Sequence, residues 1–271
     1  CKSLLIKILN VSRSSIYYQR KMHGKDLNFS KTISAVMDKH RGYGSLRIAL
    51  SLKVSEGRVR RIKQKFNLYP LNSKRKPKKR RDRNTEIAKY PNLTENLLVL
   101  APRTIYASDF TYIPFNGKFV YLATVIDLFS REIVGWCIST RHTTNLVKAA
   151  LLDSIQRTGA TPKISHSDQG SEYKSQGYQH FLKASDIECS MSSKASPWQN
   201  GYQESFYCGF KEDLGNAKDF ETLGELVEGI HRTINYYNKD RIHTALKMSP
   251  QEFFTKFQRE NIANQQLLKQ A

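Results

Sequence analysis

The chain has 271 residues, 39% of them hydrophobic and 11% aromatic, enough to fill a core, with no apolar run of the ~18 residues a membrane span needs. Its net charge is +20, and the excess is local: residues 1–90 hold 25 Lys and Arg against 5 Asp and Glu, whereas 91–271 hold 19 of each. That asymmetry points to a polyanion partner held mainly by the N-terminal region. The four cysteines (Cys1, Cys137, Cys189, Cys208) form no C-x-x-C pair and have no His at zinc-ligand spacing, so reduced, mostly buried thiols are expected and a structural zinc site is not. The opening CKSLLIKILNVSR has too short an apolar segment for a signal peptide.

In chain order, residues 3–21 predict helix, turn, helix. SKTISAVMDKH (30–40) predicts a further helix on the spacing of Ile33, Val36 and Met37, RGYG breaks it, and SLRIALSLKV forms the next. Ser55 caps a third, EGRVRRIKQKFNL, with Val59, Ile62 and Phe66 on one face and Arg58, Arg61 and Lys65 turned outward. Eight basic residues follow between Lys74 and Arg83, inside a Pro-punctuated linker, residues 71–100, that has few apolar residues. The basic helix suits a DNA major groove, and the linker suits the phosphate backbone.

RTIYASDFTYIPF then predicts a strand, Asn116-Gly117 a hairpin turn, and KFVYLATVIDLFS and REIVGWCIST two more strands. TTNLVKAALLDSIQR is an amphipathic helix ended at Gly159; KISHSD is a short strand, QGYQHFLKASD a helix, IECSM a fifth strand, and a helix follows Ser196-Pro197. Three strands in hairpin order, then helix, strand, helix, strand, helix, is the order of a ribonuclease-H-like α/β fold: a mixed five-stranded sheet with flanking helices, here over residues 101–215. Residues 216–271 predict a helical extension, AKDFETLGELVEGIHRTINYYNKDR then HTALKMSPQEFFTKFQREN, fraying past Glu260.

Three carboxylates stand out. Asp109 lies in an alternating strand on one face with Ala107, Thr111 and Ile113, where an unpaired charge is costly to bury. Asp168 ends the fourth strand before Gln169-Gly170-Ser171, and Glu204 follows 35 residues later in a helix. Acids on separate elements suit Mg²⁺, a hard ion that takes oxygen ligands and leaves room for water and phosphate. By residue chemistry alone Asp127 rivals Asp109, and Glu172 rivals Asp168.

YASDFTYI, LATVIDLFSREIVGW, HSDQGSEY and SPWQNGYQESF, in this order, resemble the D-D-E transposases of bacterial insertion sequences, the retroviral-integrase-like type encoded by a second reading frame. HRGYGSLRIAL and VSEGRVRRIKQKFNL resemble the small helical domain before the catalytic core of that family, and Tyr237, Asn238, Arg241, His243, Leu246 and Pro250 match its C-terminal signature. The resemblance implies Asp109, Asp168 and Glu204 as metal ligands and catalytic residues, with Mg²⁺ (Mn²⁺ as substitute), two ions, as cofactor. It leaves Asp127 a structural role beside Arg131 and Glu172 a role outside the triad. It implies cleavage at transposon ends and 3′-OH strand transfer, with double-stranded DNA (inverted-repeat ends and target) as partner. It further implies a homo-oligomer on DNA, a cytoplasmic, nucleoid-associated location, and fusion to or association with an upstream reading-frame product, which would account for a start at Cys1. DNA contacts are expected at Arg58, Arg61, Lys65, Lys74, Arg75, Lys76, Lys78, Lys79, Arg80 and Arg81. Lys194, Trp198 and Tyr202 around the loop SSKASPWQNG are expected to contact DNA or anchor the loop, and Lys211, two turns past Glu204, to hold phosphate. His166 reads as a hydrogen-bonded structural histidine. The family often carries Asp-Asn after the Trp, whereas this chain has Gln199-Asn200. A DNA-binding regulator without catalysis is the alternative, and a ribonuclease acting on RNA–DNA hybrids is disfavoured by the basic N-terminal region.

Overall fold

A computed structural model describes residues 12, 22–69, 90–95, 97–193 and 200–270. The helical hairpin expected over 3–21, the basic run with Lys74, Arg75, Lys76, Lys78, Lys79, Arg80 and Arg81, and Lys194 and Trp198 lie outside these residues. Two compact units form, Cys1–Leu71 and Asn72–Ala271.

In the first unit, α1 (Met22–Lys39), α2 (Ser45–Leu52) and α3 (Glu56–Lys65) enclose Ile33, Tyr43, Ile48, Ala49, Val59 and Ile62. The helix α1 starts at Met22 rather than Ser30, although Gly24, Asp26 and Asn28 interrupt any apolar period. Polar anchoring extends it: Asp26, 4% exposed, accepts bonds from Arg61 at 2.8 and 3.0 Å and from Lys65 at 2.7 Å. Arg61 and Lys65 remain exposed, as expected, and also pair with this carboxylate, because a buried carboxylate is tolerated only when paired. The two cations hold Asp26 well below the usual carboxylate range. Arg58 lies 4.4 Å over the Phe29 ring.

In the second unit β1 (Ile105–Phe115), β2 (Lys118–Asp127), β3 (Ile133–Ser139), β4 (Ile164–Ser167) and β5 (Glu188–Met191) form one sheet in the order β3-β2-β1-β4-β5. The first three strands are antiparallel and β4 and β5 are parallel to β1, the mixed ribonuclease-H-like sheet that the element order predicts. Asn116 (φ 46°) and Gly117 (φ 72°) make the tight turn between β1 and β2, where both central residues need positive φ.

Helices cover both faces. On one, Tyr106, Ala123, Val125 and Val134 pack with α4 (Thr144–Thr158) and with Tyr178 and Leu182 of α6 (Gln176–Ala184). A single turn, α5 (Ser171–Lys174), precedes α6 and was not expected from the sequence. On the other face, Ile105, Ala107, Ile113, Leu122 and Ile126 pack with Phe206, Tyr207 and Phe210 of α7 (Gly201–Leu214) and with α8 (Leu223–Lys239).

The chain ends in α9 (Pro250–Gln270). Residues 243–248 form a bridge and turn rather than helix; α9 begins with Pro at its first position, where no amide is needed, and Ser249 Oγ accepts from the Glu252 amide. The helix runs on to Gln270. Cys137 and Cys189 are part-buried and Cys208 is exposed, all free, so the thiols are less buried than expected: Cys208 lies on the outer side of α7. Among the described residues no helix is long and apolar enough to cross a membrane.

Candidate active site

Strand register brings Asp109 and Asp168 to one place. The β1–β4 pairing matches Ile105 with Ile164 and Ala107 with His166. Continuing it two residues, to where β4 has ended, sets Asp109 beside Asp168. Asp109 alternates with Ala107 and so faces α7, the helix that carries Glu204.

The electrostatics report the same convergence. The Asp109 carboxyl is pushed up to about 7, first by burial, then by the negative charge of Asp168, with Glu204 adding a smaller repulsion; the Phe110 amide, donating at 2.8 Å, opposes this. Asp168 is exposed at the strand end, yet loss of water around it, ahead of repulsion from Glu172, raises its carboxyl, against the Gly170 amide that donates to Oδ1 at 2.9 Å. Both charges acting on Asp109 are negative. A shared divalent cation relieves such a set, so the donor chemistry fits Mg²⁺. Among the described residues no group of three His, Cys, Asp or Glu is drawn together as a ready-made metal cluster.

The helix α7 is seated by two residues that sequence reasoning passed over. Gln203 is fully buried: its amide donates to Ala107 O at 2.6 Å and Thr124 O at 3.2 Å, and its carbonyl accepts from Thr124 Oγ1 at 3.0 Å. Tyr207 donates to Asp109 O at 2.7 Å, and its hydroxyl lies 2.8 Å from Thr124 Oγ1. The available signal was the spacing of Gln203, Tyr207 and Phe210, one helical face with a glutamine where an apolar residue is usual. Glu204 follows Gln203 on this helix and adds a small repulsion at Asp109.

The C-terminal signature fastens α7 from behind. Tyr237 stacks edge-on against Phe206 at 4.8 Å. Arg241, 5% exposed, is paired with Asp213 and lies so close to Gly209 that a Cβ there would meet its Nη2 at 2.6 Å. Asn238 exchanges two hydrogen bonds of 2.9 Å with the backbone of Ile133, standing in for a neighbouring strand at the β3 edge.

Asp127, the rival of Asp109, is fully buried and engaged. It pairs with Tyr106 in the register, three positions back from Asp109, and its carboxylate accepts from Ser130 Oγ at 2.6 Å, Ser130 N at 3.1 Å and Arg103 N at 3.2 Å. Its partner is Ser130 rather than Arg131, whose guanidinium lies 3.7 Å over the Tyr202 ring. Glu172 is 8% exposed and bonded to His142 and Ser171. His166 is buried against Ser190 Oγ at 2.9 Å. Lys211 sits 4.9 Å over the Tyr112 ring, at the edge of a cavity of about 470 Å³ between the β1–β2 hairpin and the end of α7, where burial lowers its pKa.

Comparison with known proteins agrees with this architecture. The Integrase core domain family matches residues 100–197, and a second Integrase core domain family matches 185–250. The chain is 36% identical over 234 residues to a transposase for insertion sequence element IS904 of Lactococcus lactis, covering 83% of this chain and 92% of that protein. It is 29% identical to a putative transposase, InsK, for insertion sequence element IS150 of Escherichia coli, covering 92% of each. A chain in the simian T-cell lymphotropic virus intasome shares the fold at 18% identity and TM-score 0.52, covering 83% of this chain and 73% of that one. With its integrase core and its similarity to these proteins along most of its length, this chain belongs to the insertion-sequence transposases.

Proposed function

We propose that this transposase cleaves DNA at the ends of its element and joins the freed 3′-OH to a second phosphodiester, with Asp109, Asp168 and Glu204 as its catalytic carboxylates. The observation that carries this reading is the β1–β4 register, which continues to set Asp109 beside Asp168, with the Asp109 carboxyl raised to about 7 first by burial, then by the charge of Asp168, and by a smaller repulsion from Glu204. Asp109, Asp168 and Glu204 would hold Mg²⁺, or Mn²⁺ in its place. When bound, two such ions would supply activation of the attacking oxygen and stabilisation of the leaving one.

The protein's own part is placement. Gln203 and Tyr207 tie α7 to the backbone of β1, which supports a fixed position for Glu204. The Gly170 amide orients the Asp168 carboxylate. In the first step water attacks a phosphodiester and the 3′-oxygen leaves as a hydroxyl; in the second that hydroxyl attacks another phosphodiester in line and displaces its bridging oxygen. Attack on the opposite end of the same element gives a joined intermediate, which is then inserted into target DNA. The basic N-terminal third, with Arg58 and the Lys74–Arg83 run, holds duplex ends, and two or more protomers pair them.

The test is cleavage and joining on a labelled duplex carrying the element's own ends, with Mg²⁺, with chelator, and with Glu204→Gln. End-specific nicking that needs metal and falls by 10³-fold or so in the variant is expected, since electrostatic groups at a reacting centre are worth roughly that much. Binding to the ends without cleavage under any metal condition would favour a DNA-binding regulator.

A further inference from the structure

A second carboxylate sits four residues after Asp168, and it is not free. Glu172 accepts a hydrogen bond from His142 Nδ1 at 2.8 Å and another from Ser171 Oγ at 2.9 Å. Burial works against its ionisation, yet the bonds from His142, its own backbone and Ser171 hold its carboxyl below the ordinary value, so the pair is a carboxylate accepting from an imidazole N–H. The imidazole comes from an exposed loop between β3 and α4, and its side chain is 54% exposed with two aromatic neighbours. It stacks on Phe110 at 6.2 Å with 8° between the planes, and lies 4.9 Å from the Tyr121 ring. A parallel tie runs beside it: Thr144 Oγ1 donates to Ser175 Oγ at 2.9 Å, and Ser175 Oγ donates to Glu172 O at 2.7 Å.

The connectivity of these contacts carries the inference. Phe110 is the residue after Asp109, and its amide is bonded to the Asp109 carboxylate. Glu172 lies in the turn that leaves Asp168, and a Cβ on Gly170 would meet Asp168 Oδ1 at 3.0 Å and Glu172 Oε2 at 3.4 Å. His142 therefore bridges the strand of one candidate acid and the turn of the other. The register brings the two acids to one place, but beyond Ala107 the described β1–β4 ladder has stopped, so no ladder hydrogen bond holds their carboxylates at a fixed distance. A side-chain strap at that point does what the ladder no longer can.

We propose that His142 and Glu172 are positioning residues: the pair straps the Asp168 turn to β1 and so sets the spacing of Asp109 and Asp168 for the divalent ion. This rests on the triad reading above. Glu172 acts through its accepted hydrogen bond, so a neutral acceptor should replace it.

The test uses the whole chain, metal-free, with Glu172→Ala, Glu172→Gln, His142→Phe and Asp109→Asn. Mn²⁺ affinity is read by electron paramagnetic resonance, amide exchange over residues 168–175 by mass spectrometry, and thermal midpoint alongside. Glu172→Ala is expected to weaken Mn²⁺ binding about tenfold, as loss of a partner behind a metal ligand typically does, and to speed exchange at Gln169–Ser171. Glu172→Gln should recover most of both. His142→Phe, which keeps the ring stack and removes the bond, should match Glu172→Ala. Wild-type Mn²⁺ affinity and exchange in Glu172→Ala would overturn the proposal, and so would equal losses in the Ala and Gln variants that track a fall in thermal midpoint. Asp109→Asn separates the two readings: if it binds Mn²⁺ like wild type the triad reading fails, while the exchange data still decide whether the strap holds the turn.

Discussion

Asp109 combines two roles that oppose each other. Its carboxyl is raised to about 7, so between the unfolded value of 3.8 and about 7 the folded protein binds more protons than the unfolded chain. Stability of the metal-free protein therefore falls as pH rises through that window and stays low above it. Asp109→Asn removes the penalty. At pH 8 without divalent metal the variant should melt higher than wild type, by roughly 5 °C, and the gap should close near pH 4. Adding Mg²⁺ should raise the midpoint of the wild type and leave the variant unmoved. A variant that melts lower at pH 8 would mean the carboxylate is paired rather than repelled. Gln203 shows the complementary case, a fully buried amide whose polar atoms are satisfied by Ala107 and Thr124.

At the scale of elements, α7 is the piece on which the site depends. It is held to the sheet by Gln203 and Tyr207, and to α8 by Phe206 against Tyr237 and by Asp213 with Arg241. Both members of that last pair are 6% exposed at their side chains, so removing one takes a close ionic contact from a buried charge. Arg241→Ala should cost about 3–5 kcal/mol in urea unfolding, and Arg241→Ala with Asp213→Ala should recover much of it. A loss below about 1 kcal/mol would mean that solvent reaches the pair. Tyr237 and Arg241 of the C-terminal signature are thus explained by packing against α7, and Asn238 by its bonds to the β3 edge. In the N-terminal unit, α1 and α3 are joined by Asp26, which occupies two of the cations expected on the exposed face.

Over the whole molecule, charge is segregated: a basic first third and a neutral remainder. Binding to duplex DNA should then depend steeply on salt, because each neutralised phosphate releases counterions. Replacing Lys78, Lys79, Arg80 and Arg81 by Ser should lower the slope of log K against log salt by about 3–4, as each contact contributes roughly 0.9. Metal affinity of the catalytic unit should be unchanged. An unaltered slope would place the DNA contacts elsewhere, with Arg58 the first to examine.

Much of this was legible in the sequence, because alternation, helical spacing and turn chemistry are local. The order of strands and helices, the Asn116-Gly117 hairpin, the Gly159 end of α4 and the location of the charge needed no tertiary information. The three acids could be singled out there as well, but only register separates Asp109 from Asp127: one faces α7 beyond the end of the β4 ladder, the other is enclosed by Ser130 and Arg103. Which polar side chains turn inward was likewise beyond the sequence, since nothing local marks Gln203, Glu172, Asp26 or Asn238 for burial until their partners from distant segments are known. A hydrogen bond between residues far apart in the chain leaves no local pattern. Burying a polar group is permitted only by that distant partner, so these placements were decided by the tertiary structure.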